Sequence, residues 1–143
     1  MTFIPLDLQV QLSVSLLLAV CLSMVIGLNR ERHERPAGLR THMLVCTGSC
    51  LFTLLSIYAF PGSDPARLAS QILPGIGFIG AGAIIKDNRS VSGVTTAASI
   101  WTTAAIGVAV GVGAWFLALV VTIIIWVVLV LVRRIENRSN GSR

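Results

Sequence analysis

Ser63-Asp64-Pro65-Ala66-Arg67-Leu-Ala-Ser-Gln71-Ile-Leu-Pro74-Gly75-Ile-Gly77-Phe78-Ile-Gly80-Ala81-Gly82, continued by Ala-Ile-Ile-Lys86-Asp87-Asn-Arg89-Ser-Val-Ser-Gly93-Val-Thr95-Thr96-Ala-Ala-Ser99, is the stretch that decides how this chain folds. An apolar run broken by Pro74, Gly75, Gly77, Gly80 and Gly82 meets a short charged loop, and a second apolar run rich in threonine, serine and alanine follows. In a soluble helix each glycine costs ~1 kcal/mol against alanine. In lipid the same small residues let helix backbones approach closely. The stretch therefore predicts membrane helices built for tight packing.

The rest of the chain agrees. Of 143 residues, 55% are hydrophobic and 12% are charged, with a mean hydropathy of +0.85; a soluble domain carries about 25% charged residues. The opening Met1–Asp7 has no basic segment and no small-residue cleavage site follows, so the first apolar run is expected to remain in the mature protein. Five spans are predicted: Val10–Leu28, Met43–Phe60, Leu68–Ile85, Val94–Val112 and Ala114–Val132. Each comes close to the ~20 residues that cross a ~30 Å hydrocarbon layer. No charge occurs between Ser90 and Val132. One helix of that length would be roughly 65 Å long at ~1.5 Å per residue, so the chain must reverse, and Gly111-Val112-Gly113 is the glycine-rich place to do it.

Five spans put Arg30, Arg32, Arg35, Arg40, Lys86, Arg89 and the arginines after Val132 on one side, with Arg67 alone on the other. Short basic loops stay cytoplasmic, so the N-terminus is placed outside and the C-terminus inside. The expected fold is an all-α polytopic bundle: residues 1–132 form the membrane domain and 133–143 a short basic, disordered cytoplasmic tail. Topology and contact with membrane lipids account for the charge of +5, and nucleic acid is not expected as a partner.

Several motifs fail on their surroundings. Gly75-Ile-Gly77-Phe-Ile-Gly80 matches the dinucleotide fingerprint letter for letter, but that site needs a preceding strand and an acidic residue about twenty positions on. The next acids here are Asp87 and Glu136. Cys21, Cys46 and Cys50 lie in apolar spans without C-x-x-C or histidine at ligand spacing, and read as small packing residues. His33 and His42 lie in or beside the basic loop. No nucleophile, base and oxyanion set emerges, so neither an enzyme nor a metal or cofactor site is expected.

What remains is a polar constellation. Asp64 precedes Pro65 in the order of an N-cap and first-turn proline for span three, and Arg67 is spaced to pair with it. With Gln71 one turn deeper, the three form a stripe entering the membrane from outside, where polar groups face a bundle interior or wet cavity. Thr95, Thr96, Ser99, Thr102 and Thr103 of span four are expected opposite. Pro74 is expected to free the Ser70 carbonyl or kink span three. Gly107-x-x-x-Gly111 and Gly77-x-x-x-Ala81 fit close helix contact and homodimerisation.

Further motifs link these pieces. Gly27-Leu-Asn-Arg30-Glu31, Ala37-Gly38-Leu39-Arg40-Thr41-His42, Asp64-Pro65-x-Arg67-x-Ala69-x-Gln71 and Gly75-Ile-Gly77-Phe78-Ile-Gly80-Ala81-Gly82 resemble the MgtC/SapB family. Val91-x-Gly93-Val-Thr95-Thr96-Ala97-Ala98-x-x-Trp101-x-x-Ala104-Ala105-x-Gly107 extends the likeness, which covers roughly Gly27 to Gly113. The resemblance implies a bacterial inner-membrane protein of a virulence-associated family tied to growth in low magnesium, here in a compact form without a C-terminal soluble domain. It also implies partners among membrane proteins, including ATP synthase and ion-transport systems. The matched positions it singles out are Arg30, Glu31, Arg40, Asp64, Arg67, Gln71, Gly75, Gly77, Gly80, Gly82, Thr95, Thr96 and Trp101.

Two functions follow as expectations. One is a non-enzymatic modulator of Mg2+ homeostasis whose glycine faces dock a partner or a second copy. The other is a transporter or channel for Mg2+ or another cation, with Asp64 at its mouth. Mg2+ keeps most of its water and is held by one or two carboxylates; a lone Asp64 beside Arg67 serves that poorly unless an oligomer gathers several copies.

Overall fold

The computed structural model describes residues 4–60, 62–87 and 90–132. Five α-helices carry the fold: α1 (Leu6–Glu31), α2 (Leu39–Tyr58), α3 (Ile72–Gly82), α4 (Val94–Gly111) and α5 (Trp115–Val127), the last continuing as a π-helical turn through Val132. A single turn of 3-10 helix, Ala69–Gln71, leads into α3. Between α3 and α4 the charged loop is a small antiparallel hairpin of β1 (Ile85–Asp87) and β2 (Ser90–Ser92), with Lys86 opposite Val91.

The buried stripes explain the packing. On α1 they are Ala19, Leu22, Ser23, Ile26, Gly27 and Arg30, and on α4 Thr96, Ser99, Ile100, Thr103, Gly107, Val110 and Gly111 recur at the same three-and-four spacing. Small and hydroxylated residues make up much of these inner faces, with Leu22, Ile26, Ile100 and Val110 between them. The large apolar side chains point outward, among them Leu44, Phe52, Trp115, Phe116, Ile124 and Phe78, the last 84% exposed. Such a distribution would precipitate a protein in water and suits one whose solvent is lipid, where close backbone approach drives helix association. Among the described residues, four helices are long and apolar enough to cross a membrane: α1, α2, α4, and α5 taken through Val132.

Backbone proximity fixes their order. A Cβ on Gly107 would lie 2.2 Å from the Cys46 carbonyl oxygen and one on Gly111 2.7 Å from Thr53 Cβ, so α4 is pressed on α2 and runs parallel to it. The end of α1 meets the start of α4 through Arg30 and Thr96. Segment 64–84 must therefore return from the end of α2 to the start of α4. It begins at Ser56, whose hydroxyl donates to the Pro65 carbonyl and accepts from Leu68 and Ala69 amides, and it ends where Gly80 faces Ala97. The expected third span, Leu68–Ile85, makes this passage with less helix than anticipated. Its 3-10 turn and 11-residue α3 rise only ~22 Å together, because Ile85 already belongs to the hairpin. Pro74 is the third residue of α3, where an amide has no intrahelical partner to lose, so it opens the helix instead of kinking it.

The reversal between α4 and α5 falls at the expected glycines. Gly113 adopts φ +81°, its amide donates to the Val110 carbonyl, and Ala114 donates to Ala109. This paired pattern closes a helix around a left-handed glycine. The end where α1 finishes and α2 and α4 begin carries Arg30, Arg32, Arg35, Arg40 and Lys86, which makes it cytoplasmic by the positive-inside rule. The tail predicted at 133–143 and Arg89 lie outside the described residues.

Candidate functional site

Two polar clusters stand at opposite ends of the bundle. At the cytoplasmic end Arg30, only 6% exposed, donates from Nη2 to Thr96 Oγ1 at 2.6 Å. One turn further along α4, Ser99 Oγ lies 2.8 Å from the Thr96 carbonyl and 3.1 Å from His42 Nε2, two acceptors that share its one hydroxyl proton. His42 is fully buried. Its Nδ1 lies 2.8 Å from the Gly38 carbonyl; a carbonyl can only accept, so Nδ1 carries the proton. Arg30, Thr96, Ser99 and His42 thus stitch α1, α2 and α4 together with polar bonds inside an apolar shell, where such bonds face little competition from water.

Glu31 and Arg40 flank this cluster. Glu31 Oε2 accepts from the Leu39 amide at 2.9 Å, supplying the acceptor that N-terminal Gly38 of α2 has no side chain to provide. A Cβ at Gly38 would collide with that same carboxylate. Arg40 is exposed and lines a cavity of about 340 Å3 with Glu31, Glu34 and Arg35. Glu31→Ala is expected to cost about 1 kcal/mol of stability, with Glu31→Gln recovering part of it through its remaining carbonyl oxygen. Thermal unfolding in mild detergent measures both.

At the outer end, Asp64, Arg67 and Gln71 line a cavity of about 540 Å3 with Ser56, Phe60 and Ser63. The sequence expectation needs correcting in three respects. Asp64 Oδ1 accepts from the Ala66 amide at 2.9 Å, so it closes a local turn and does not cap α3, which starts eight residues later at Ile72. No ion pair joins it to Arg67 among the described residues. Thr96 and Ser99 do not stand opposite this stripe but face Arg30 and His42 at the other end of the bundle, because α4 starts at the cytoplasmic end. Thr102 and Thr103 donate to carbonyls of their own helix.

The glycines divide unexpectedly. At Gly75, Gly77 and Gly82 a Cβ would have nothing within 4 Å of it, and at Gly80 it would make only ordinary contact with Ala97. The close approaches belong to Gly27 against Leu39, Gly107 against Cys46 and Gly111 against Thr53. Instead of sealing α3 to its own bundle, Gly75 helps form an open groove of about 460 Å3 between α2 and α3, walled by Leu44, Val45, Phe52, Ile72 and Ile79. Trp101 is exposed on α4, and Thr95 opens onto a cavity at the cytoplasmic end. Cys46 and Cys50 are buried free thiols on α2.

Residue-by-residue reading set His42 aside as a residue in or beside the basic loop and passed over Ser56. The signal for His42 was available: a histidine running into an apolar span must find a partner inside the bundle. Ser56 gave none, since its three backbone partners lie in a turn 9–13 residues away.

An inside-out bundle of small buried and large exposed residues, with polar groups gathered at its two ends, defines a multi-pass helical membrane protein. The chain belongs to the MgtC family, whose model matches residues 16–138. It is 45% identical over 126 residues to protein MgtC of Salmonella typhimurium, covering 88% of this chain and 54% of that one. YhiD of Escherichia coli strain K12, named as a candidate magnesium transporter, is 44% identical over 114 residues, which is 74% of this chain and 53% of YhiD. An uncharacterized Haemophilus influenzae protein is 41% identical over 141 residues, covering 90% and 59% respectively. The chain spans about half the length of the curated relatives it matches. No solved structure matches it.

Proposed function

We propose that this chain is a non-enzymatic modulator of Mg2+ homeostasis in the bacterial inner membrane, acting by docking against other membrane proteins. The observation that carries the reading is the exposed surface of α3. Small residues in membrane helices serve close backbone approach, yet a Cβ at Gly75, Gly77 or Gly82 would meet nothing within 4 Å among the described residues, and the groove that Gly75 borders is apolar and open. A partner helix fills such a face. Family resemblance directs attention to ATP synthase and ion-transport systems as partners, or to a second copy in a homodimer. The magnesium connection rests on the family and on the name of YhiD.

Cation transport is the second reading, favoured by the outer cavity with Asp64 on its wall. Arg67 lines the same cavity, and a guanidinium beside a single carboxylate opposes capture of a divalent cation.

Gly77→Leu separates the two. It meets open space, so stability should stay within ~0.5 kcal/mol of the parent, while the membrane complex that co-purifies with the parent is lost and growth in limiting Mg2+ suffers. Parent protein in vesicles that carries Mg2+, with flux abolished by Asp64→Asn, establishes transport instead. A Gly77→Leu variant that keeps its complex also defeats the docking reading.

A further inference from the structure

A cavity of about 490 Å3 at the cytoplasmic end lies between the start of α4 and the end of α5, and the docking groove shares none of its lining residues. Its two walls differ in chemistry. One carries the guanidinium side chains of Arg30 and Arg35 with the hydroxyls of Thr95 and Thr96; the other carries Val128, Leu129 and Val132. No acidic side chain is among the described residues that line it. We propose that this cavity binds the phosphodiester headgroup of an anionic phospholipid, with an acyl chain lying along α5.

The headgroup half follows from the arginines. A phosphodiester takes charge-assisted bonds from planar guanidinium donors, which match two phosphate oxygens at once, and hydroxyls complete its shell. Arg30 is held within the bundle by its bond to Thr96, and the exposed Arg35 is the guanidinium that meets the phosphate. The acyl half follows from the opposite wall. A free phosphate gains nothing from valine and leucine, whereas a lipid needs both surfaces side by side. The apolar wall continues into the exposed Ile124 and Val127 of the same helix, a path for the chain down into the bilayer. The cavity also lies at the depth of the cytoplasmic headgroups, where basic residues attract anionic lipid.

The test uses the full chain purified in neutral detergent, with lipid retention read by native mass spectrometry and protection by thermal unfolding. Phosphatidylglycerol should be retained and should stabilise the protein, while phosphatidylcholine should do neither. Arg35→Gln should weaken phosphatidylglycerol binding ~fivefold, whereas Arg32→Gln, on the same basic loop but outside the cavity, should change it by less than about twofold. Thr95→Val probes the same wall from an exposed position and should also weaken binding. Equal binding of phosphatidylcholine overturns the proposal, as does an equal loss from Arg32→Gln, which would mean diffuse surface attraction. Inorganic phosphate that protects as well as the lipid and displaces it would assign the cavity to a soluble anion and likewise overturn the lipid assignment.

Discussion

Gly107→Leu is expected to prevent α4 from seating on α2, giving a protein that no longer migrates as a single species in detergent. At this position even a Cβ would stand 2.2 Å from the Cys46 carbonyl oxygen and 2.9 Å from Ser49 Cβ. The first obstacle is backbone, which no rotamer change relieves, so the helices must separate. Overpacking a closed core costs ~1–3 kcal/mol and sometimes more. Here the leucine adds three further carbons to an already forbidden contact, so a loss above ~3 kcal/mol is expected, a large share of the ~5–15 kcal/mol that holds a typical domain together. Separation also reaches the polar cluster, because His42 and Ser99 face each other across the same helix pair. Gly107→Ala should fall between parent and leucine variant. The comparison with Gly77→Leu is decisive: two glycines of one sequence pattern should differ by several kcal/mol in stability. Equal stability of the two variants would mean that α2 and α4 do not pack as described.

The same contrast marks how far the sequence could be read. Hydropathy and the arginine distribution revealed the passages and their direction, since lipid and headgroup chemistry act on each segment separately. The turn at Gly111–Gly113 was legible too, because a charge-free run too long for the bilayer has to reverse at its glycines. Which small-residue face meets protein was not legible. Gly77-x-x-x-Ala81 and Gly107-x-x-x-Gly111 look alike as strings, and the difference lies in what the fold sets opposite them. Asp64 and Arg67 misled for a related reason: their spacing suggests a pair only on a helix, and this segment is a turn whose carboxylate is taken by the Ala66 amide. Arg30 and Thr96 were flagged one by one through family resemblance. Their bond spans 66 residues of sequence, and local spacing carries no trace of it.

Gly93→Val is expected to disorganise the start of α4 and, through it, the Arg30–Thr96 connection. Gly93 occupies the position before α4 with φ +84°, and a Cβ there would lie 1.9 Å from the Ala83 carbonyl oxygen. Two penalties combine. A left-handed backbone costs an L-residue ~1–2 kcal/mol, more for a branched one, and the Ala83 carbonyl at the end of α3 must also move. Gly93 accepts from the Ala97 amide, which holds the first turn of α4, so displacing it displaces Thr96 three residues on. The loss should exceed ~2 kcal/mol in thermal unfolding. A second readout separates local damage from global collapse. Buried Cys46 and Cys50 should stay closed to a maleimide, whereas exposure of the loop at Arg32–Gly38 to protease should rise. Asn, which tolerates the left-handed region better than other residues with a side chain, should recover little at Gly93, because the collision with Ala83 persists. Full recovery by Asn would show that backbone conformation, and not the contact with Ala83, governs the junction.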